Sequence, residues 1–279
     1  MLHKFPLGHF FSTIPSDGDV DYAIEKRAKQ LTHPTSDATG IRLRASEQLC
    51  NLRTIARFVP KVDFPLHPSP SHYYYFLNQS FSFSDAIVYS CMIRHLRPKR
   101  VVEIGAGFST AVAVDTIQAA QFDHACEIVA VDPFPRPLVQ RLVRDRQITL
   151  LSQPVQQAPS SLWQSLVAND ILFVDSTHVM KAGSDLQTIL FEILPLLAKG
   201  VYVHFHDVFW PWEYPTAWLR ARNNWNELYV LRAFLQYNQV FVITIFLDYL
   251  WHEHSELLRT LIPKGQANPG GGLWLQKTC

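Results

Sequence analysis

The stretch Arg100 to Asp115, RVVEIGAGFSTAVAVD, restricts the fold more than any other part of the chain. Val101, Val102 and Ile104 form a short β-branched run, the pattern of a parallel strand buried on both faces. Gly105 and Gly107 follow, giving a tight turn in which the backbone approaches a ligand with no Cβ in the way. Ser109 and Thr110 stand at the capping end of a small-residue helix that continues through Ala111 to Val114. Strand, glycine turn and helix together predict a nucleotide-type cofactor site at the carboxyl edge of an open sheet.

The same pattern repeats downstream. Glu127 to Asp132 reads as a second strand ending in an acid, and Asp132 stands 25 residues beyond Gly107. That is close to the offset of about 20 at which an acid binds ribose hydroxyls in such folds. Pro133 follows; the alternative reading of Asp132 is a cap for the next helix. A third strand, Ile148 to Leu151, leads to Ser152-Gln153-Pro154, where an adenine edge is expected. A fourth, Ile171 to Asp175, continues into Ser176-Thr177-His178. After an amphipathic helix from Ser184 to Leu197, Val201 to Phe205 forms a fifth strand ending at His206-Asp207. Five alternations of strand and helix predict an α/β, doubly wound, mostly parallel sheet. Acids recur at strand ends: Glu103, Asp132, Asp175 and Asp207. That edge is where open sheets bind ligands.

The flanking regions carry less chemistry. Residues 1–80 read as a helical and irregular extension, with helices at Asp21 to Gln30 and Ala45 to Phe58 and a Pro-rich spacer from Pro60 to Pro70. It is expected either to cap the cleft or to serve as a homodimer arm. Residues 81–279 form the main domain. Ser84 is expected to cap a helix from Asp85, with Ile87, Val88, Cys91, Met92 and Leu96 on one face and Pro98 ending it. Phe81, Ser84 and Asp85 are ligand candidates because that helix start should lie near the glycine turn, whereas Tyr73 to Phe76 read as packing. Trp210, Trp212, Tyr214 and Trp218 follow the fifth strand and read as a substrate-facing lid, or as a hydrophobic plug. A helix from Asn226 to Gln236 and strands at Val240 to Leu247 and Leu273 to Leu275 complete the chain.

Composition narrows the function. A net charge of +1 over 279 residues gives no electrostatic case for nucleic acid or an anionic membrane. Cys50, Cys91, Cys126 and Cys279 show neither C-x-x-C nor disulfide-like spacing, and read as reduced thiols of a cytoplasmic protein without zinc. Lys4, Pro6 and His9 interrupt the N-terminal run, which lacks the apolar core of a signal peptide. Val240 to Leu247 is too short to span a bilayer.

Two details select the cofactor. The third glycine of G-x-G-x-x-G is replaced by Thr110, and Glu103 would repel a pyrophosphate while suiting a ligand with an ammonium group. E-x-G-x-G in this setting, with Asp132, FVDSTH and YVHFHD, resembles the class I S-adenosylmethionine (SAM)-dependent methyltransferases over residues 80–279. Within them it is similar to small-molecule O-methyltransferases related to metal-dependent sugar and antibiotic-tailoring enzymes. The resemblance implies a seven-stranded Rossmann-like sheet with a reversed terminal hairpin. It also implies that Glu103, Gly105, Ala106, Gly107 and Ser109 cradle the methionine part of SAM. Asp132 and Pro133 would lie at the ribose, Asp175 between cofactor and acceptor, and Phe81 and Ser84 nearby. Such relatives often carry two adjacent acids where this chain has His206-Asp207.

Transfer to a hydroxyl needs alignment and a base tuned near neutrality. His178 is the preferred base and His206 the other candidate, each beside a strand-end acid. Asp175 and Asp207 could instead hold Mg²⁺ against two acceptor oxygens. The leading expectation is therefore a SAM-dependent methyltransferase acting on an oxygen of a small-molecule acceptor. An NAD(P)-dependent oxidoreductase and a SAM-binding protein without turnover are the alternatives.

Overall fold

Each predicted strand forms, its ends shifted by a residue or two, in a computed structural model that describes residues 5–32 and 39–279. Met1 to Lys4, the start of the run inspected for a leader, lie outside the described residues. The strands are β1 (Arg100–Ile104), β2 (Glu127–Val131), β3 (Thr149–Leu151), β4 (Ile171–Val174), β5 (Tyr202–Phe205), β6 (Phe241–Phe246) and β7 (Leu273–Lys277). They build one sheet in the order β3-β2-β1-β4-β5-β7-β6. The first five are parallel; β7 runs antiparallel between β5 and β6.

Helices cover both faces, so the central strands need apolar side chains on both, and Val101, Val102, Leu172 and Phe173 are all fully buried. The chain leaves β1 for β2 on one side and pairs with β4 on the other, and this reversal opens a crevice at the carboxyl edge. The hydrogen-bond ladder runs one residue past each strand. Asp132 N donates to Leu151 O (3.1 Å), Gly105 N to Val131 O (3.0 Å), Asp175 N to Ile104 O (2.9 Å) and His206 N to Val174 O (3.0 Å). These rungs set Gly105, Asp132, Asp175 and His206 side by side on one rim.

The helices near the rim are α1 (Asp17–Thr32), α2 (Ala45–Ala56), α3 (Phe83–Leu96) and α4 (Phe108–Ala120). The small side chains of α4 let it lie close against the sheet and α3, with Ser109 to Thr116 buried. α2 packs on β6 and α3 and adds Leu52 and Ile55 to the shared core. Tyr74 and Phe76 pack in that core as expected, and Asp115 accepts from the amides of Tyr73 (3.0 Å) and Tyr74 (2.8 Å).

Two expectations need correction. α3 starts at Phe83 with Ser82 at its cap position, which turns Ser84 inward. Its hydroxyl donates to Gly265 O and accepts from Trp251 Nε1, both at 3.1 Å, far from any capping role. Trp210 and Trp212 are fully buried against Phe246 and make a plug, not a lid. Between β6 and β7 the chain forms two unforeseen helices, Leu247–Glu253 and Ser255–Leu261, which bury Leu250 and Leu258.

Candidate active site

A cleft of about 860 Å³ opens over the crevice, within the range of small-molecule sites. Gly105, Ala106, Gly107, Phe108 and Ser109 form one wall, and Asp132, Pro133 and Phe134 the next. Pro154 to Gln156 extend it, so the expected adenine edge begins at Pro154 and leaves Ser152 and Gln153 off the wall. At the other end stand Asp175, Ser176, His178, His206 and Asp207, closed by Trp218 and Trp225.

The glycine turn is shaped by its neighbours. Gly105 has φ +81°, and a Cβ there would overlap the Asp175 carbonyl, so only glycine fits. Gly107 N donates to Thr110 Oγ1 (3.0 Å), closing the first turn of α4. A Cβ at Gly107 would meet nothing within 4 Å, because that side faces the open cleft. Asp132 accepts from Ala106 N (3.1 Å) and Phe134 N (2.7 Å), which fixes its carboxylate at the rim with lone pairs to spare for hydroxyl donors.

Glu103 is not on the cleft wall. It is fully buried, accepts from Thr110 Oγ1 and lies 3.4 Å from the Tyr89 hydroxyl. Burial pushes its carboxyl up to about 8, against the hydrogen bonds from Thr110 and Ser109. Ser84 is likewise absent from the wall. Phe81 reaches the cleft only as a floor beneath His206, with ring centroids 5.0 Å apart.

The far end concentrates charge. His178 Nε2 lies 3.3 Å from Asp175 Oδ1 and 3.6 Å from Asp207 Oδ2, while its Nδ1 lies 2.6 Å from Glu227 Oε2. Glu227 opens the helix Glu227–Leu235, and its backbone and that of Asn226 also donate to His178 O (3.1 and 3.0 Å). Sequence reasoning missed Glu227; it stands 49 positions from its partner and no local pattern marks it. His206 Nε2 lies 3.6 Å from Asp207 Oδ1. His178 (φ +60°) and Asp207 (φ +59°) both take the left-handed backbone, which costs about 1–2 kcal/mol per residue and is held by the packing around them.

The electrostatics follow from four acids facing two imidazoles. Burial disfavours the charged form of His178, but Asp175 and Glu227 outweigh it and raise the imidazole to about 11. His206 is raised to about 9, where Asp207, Asp85 and Asp175 overcome burial. Burial would raise Asp175, yet His206 and His178 hold it below its ordinary value. Asp207 is raised by burial despite His206. With its acids unneutralised His178 is thus drawn toward its protonated form.

The donor set fits a divalent cation. One ligand atom each from Asp175, His178 and Asp207 lie within 4.8 Å of one another. Two carboxylates and an imidazole backed by a buried carboxylate suit an Mg²⁺- or Mn²⁺-type ion. Ser176 Oγ and His206 Nδ1 are buried at the cleft and unpaired among the described residues, as expected of groups that await a ligand.

A methyltransferase-domain family model matches residues 102–208, from β1 through the Asp207 rim. An uncharacterized protein from Archaeoglobus fulgidus is 36% identical over 172 residues, 60% of this chain and 76% of that protein. Residues 102–208 belong to this methyltransferase-domain family. Among solved structures, the methyltransferase is similar to Podospora anserina PaMTH1, determined with SAH bound. That pair shares 17% identity over 82% of this chain and 88% of the other, at a TM-score of 0.43. It is also similar to the O-methyltransferase TomG from Streptomyces achromogenes, involved in tomaymycin synthesis and determined with SAM. There the identity is 14% over 82% and 90% of the two chains, at a TM-score of 0.41. No helix among the described residues of the methyltransferase is long and apolar enough to cross a membrane.

Proposed function

We propose that the protein transfers the methyl group of SAM to an oxygen of a small-molecule acceptor. One observation carries this reading. A single cleft joins a glycine turn and a rim carboxylate, Asp132, at one end to the Asp175, His178 and Asp207 cluster at the other.

SAM supplies an electrophilic methyl group on a sulfonium. Gly105 to Ser109 shape the wall for its amino-acid portion, and Asp132 accepts from its ribose hydroxyls. Glu103 acts from beneath, holding Thr110 and thereby the start of α4. A divalent cation on Asp175, His178 and Asp207 would hold the acceptor oxygen and favour its deprotonated form. With Asp175 and Asp207 engaged by such a cation, the carboxylates that hold protons on His178 and His206 would be neutralised, and His206, beside Asp207, would be free to take the acceptor's proton. Glu227 keeps the His178 ring in one orientation. Trp218 and Trp225 bound the acceptor side and exclude water.

The cysteines are all free, and the reading is of a cytoplasmic enzyme. Calorimetric titration separates it from the oxidoreductase alternative: SAM and SAH bind and NAD does not. Tight NAD binding with none for SAM would refute it.

A further inference from the structure

A second cavity, of about 300 Å³, lies behind the two indoles that close the cleft, and Trp218 and Trp225 line both spaces. Their rings meet edge to face, 5.2 Å apart at 84°, making a corner shared by the two spaces. The Trp225 ring is 4.4 Å from the His178 ring, so this corner adjoins the reacting end of the cleft.

We propose that this second cavity is the distal part of the acceptor site and takes an uncharged, flat ring system carrying hydroxyl groups. The inference rests on the methyl-transfer reading and adds the substrate class. Tyr214, Tyr229, Trp218 and Trp225 present aromatic surface to the cavity. Asn223 and Asn224 present amides whose side chains make no hydrogen bond among the described residues, and so are free for a polar ring edge. Among the described residues, the one charged residue lining the space is Asp19, and its carboxylate already accepts from Ser16 N (2.9 Å) and Ser16 Oγ (2.7 Å). A phosphorylated or carboxylated acceptor would find no cation there and would face that acid.

The outer wall is α1, through Val20 and Ala23. It is held in place by Arg222, whose guanidinium donates to Pro15 O (3.4 Å) and Ser16 O (3.3 Å) and pairs with Asp17. The N-terminal segment thus belongs to the acceptor site as a fixed wall.

The test uses the full chain saturated with SAH, with Mg²⁺ in the buffer, and three probes: pyrocatechol, quercetin, and the doubly sulfonated catechol tiron. Titration should show quercetin binding at least tenfold tighter than pyrocatechol and tiron gaining nothing. Ala23→Trp, which fills the cavity from α1, should abolish the quercetin advantage while leaving SAH and pyrocatechol affinities unchanged. Thr13→Trp does the same from an exposed rim position, and serves if Ala23→Trp fails to fold. Quercetin binding no tighter than pyrocatechol, or an advantage that survives both substitutions, overturns the proposal. So does tiron binding as tightly as quercetin. Failure of SAH itself to bind would instead remove the methyl-transfer reading.

Discussion

The two glycines of the turn differ in what surrounds them, and substituting each with alanine separates the scaffold from the ligand. At Gly105 (φ +81°) a methyl group would stand 2.8 Å from the Asp175 carbonyl carbon and closer still to its oxygen. To reach the 3.4 Å at which ordinary contact begins, the carbon must retreat by about 0.6 Å and the oxygen by more, and Asp175 moves with them. The left-handed backbone adds about 1–2 kcal/mol and the overlap about 1–3 kcal/mol, so Gly105→Ala should cost about 3 kcal/mol. At about 2–4 °C per kcal/mol for a chain of this size, the melting temperature falls by roughly 6–12 °C. Displacing Asp175 by approaching 1 Å should slow methyl transfer on the order of 100-fold in the folded fraction. Gly107 is the opposite case: its φ of −178° suits any residue, and the added methyl meets nothing within 4 Å. Gly107→Ala should therefore melt within about 0.5 kcal/mol of the parent. Its methyl projects into the cleft, and SAH affinity should drop about tenfold, or about 1.4 kcal/mol. Calorimetric titration with SAH and thermal melts on both variants read all of this. A Gly107→Ala protein that binds SAH as tightly as the parent would show that the cofactor does not cross this turn.

Further outcomes follow from other buried groups. Glu227→Gln removes the carboxylate that orients His178 Nδ1 and should weaken Mn²⁺ binding or turnover about 10- to 100-fold, read by Mn²⁺ titration. Activity that withstands exhaustive EDTA would exclude a metal at the cluster altogether. Glu103→Gln should change the pH dependence of stability. Because the folded carboxyl titrates near 8, well above its ordinary value, the folded chain holds a proton that the unfolded chain releases. The stability this contributes is complete below about 4.5 and is lost as pH rises through about 8. The variant should gain on the parent in melting temperature between pH 5 and pH 9, and parallel curves would contradict the assignment. Asp170→Ala strips the acceptor from the amides of Lys99, Arg100 and Val167, each at 2.9 Å, and should cost about 2–4 kcal/mol in denaturant unfolding.

What the sequence reveals and what it hides divide along one physical line. Parallel strands in a sheet covered on both faces show as β-branched runs, and their register aligns the residues just past them. Asp132, Asp175 and His206 are each the first residue beyond a strand and donate its last rung, so reading them as a shared rim needs only the strand pattern. Glu103 breaks that reading because it lies two positions before Gly105. At about 3.3 Å per residue, that puts it roughly 7 Å below the rim, between Tyr89 of α3 and Thr110 of α4. An acid near the end of a strand is thus a wall residue here when it carries or follows the last rung, and a supporting one when it precedes it. The histidine cluster was half legible for a related reason. His178 and Asp207 could be placed at the rim, but their left-handed backbone and the carboxylate behind His178 come from tertiary packing. Glu227 reaches His178 because the Glu227–Leu235 helix starts against the His178 carbonyl, a contact between segments with no common period or motif. The aromatic segment after β5 failed for want of the same information. Trp210 and Trp212 enter the core while Trp218 and Trp225 reach the cleft, and composition alone cannot tell an indole that fills a core from one that bounds a ligand.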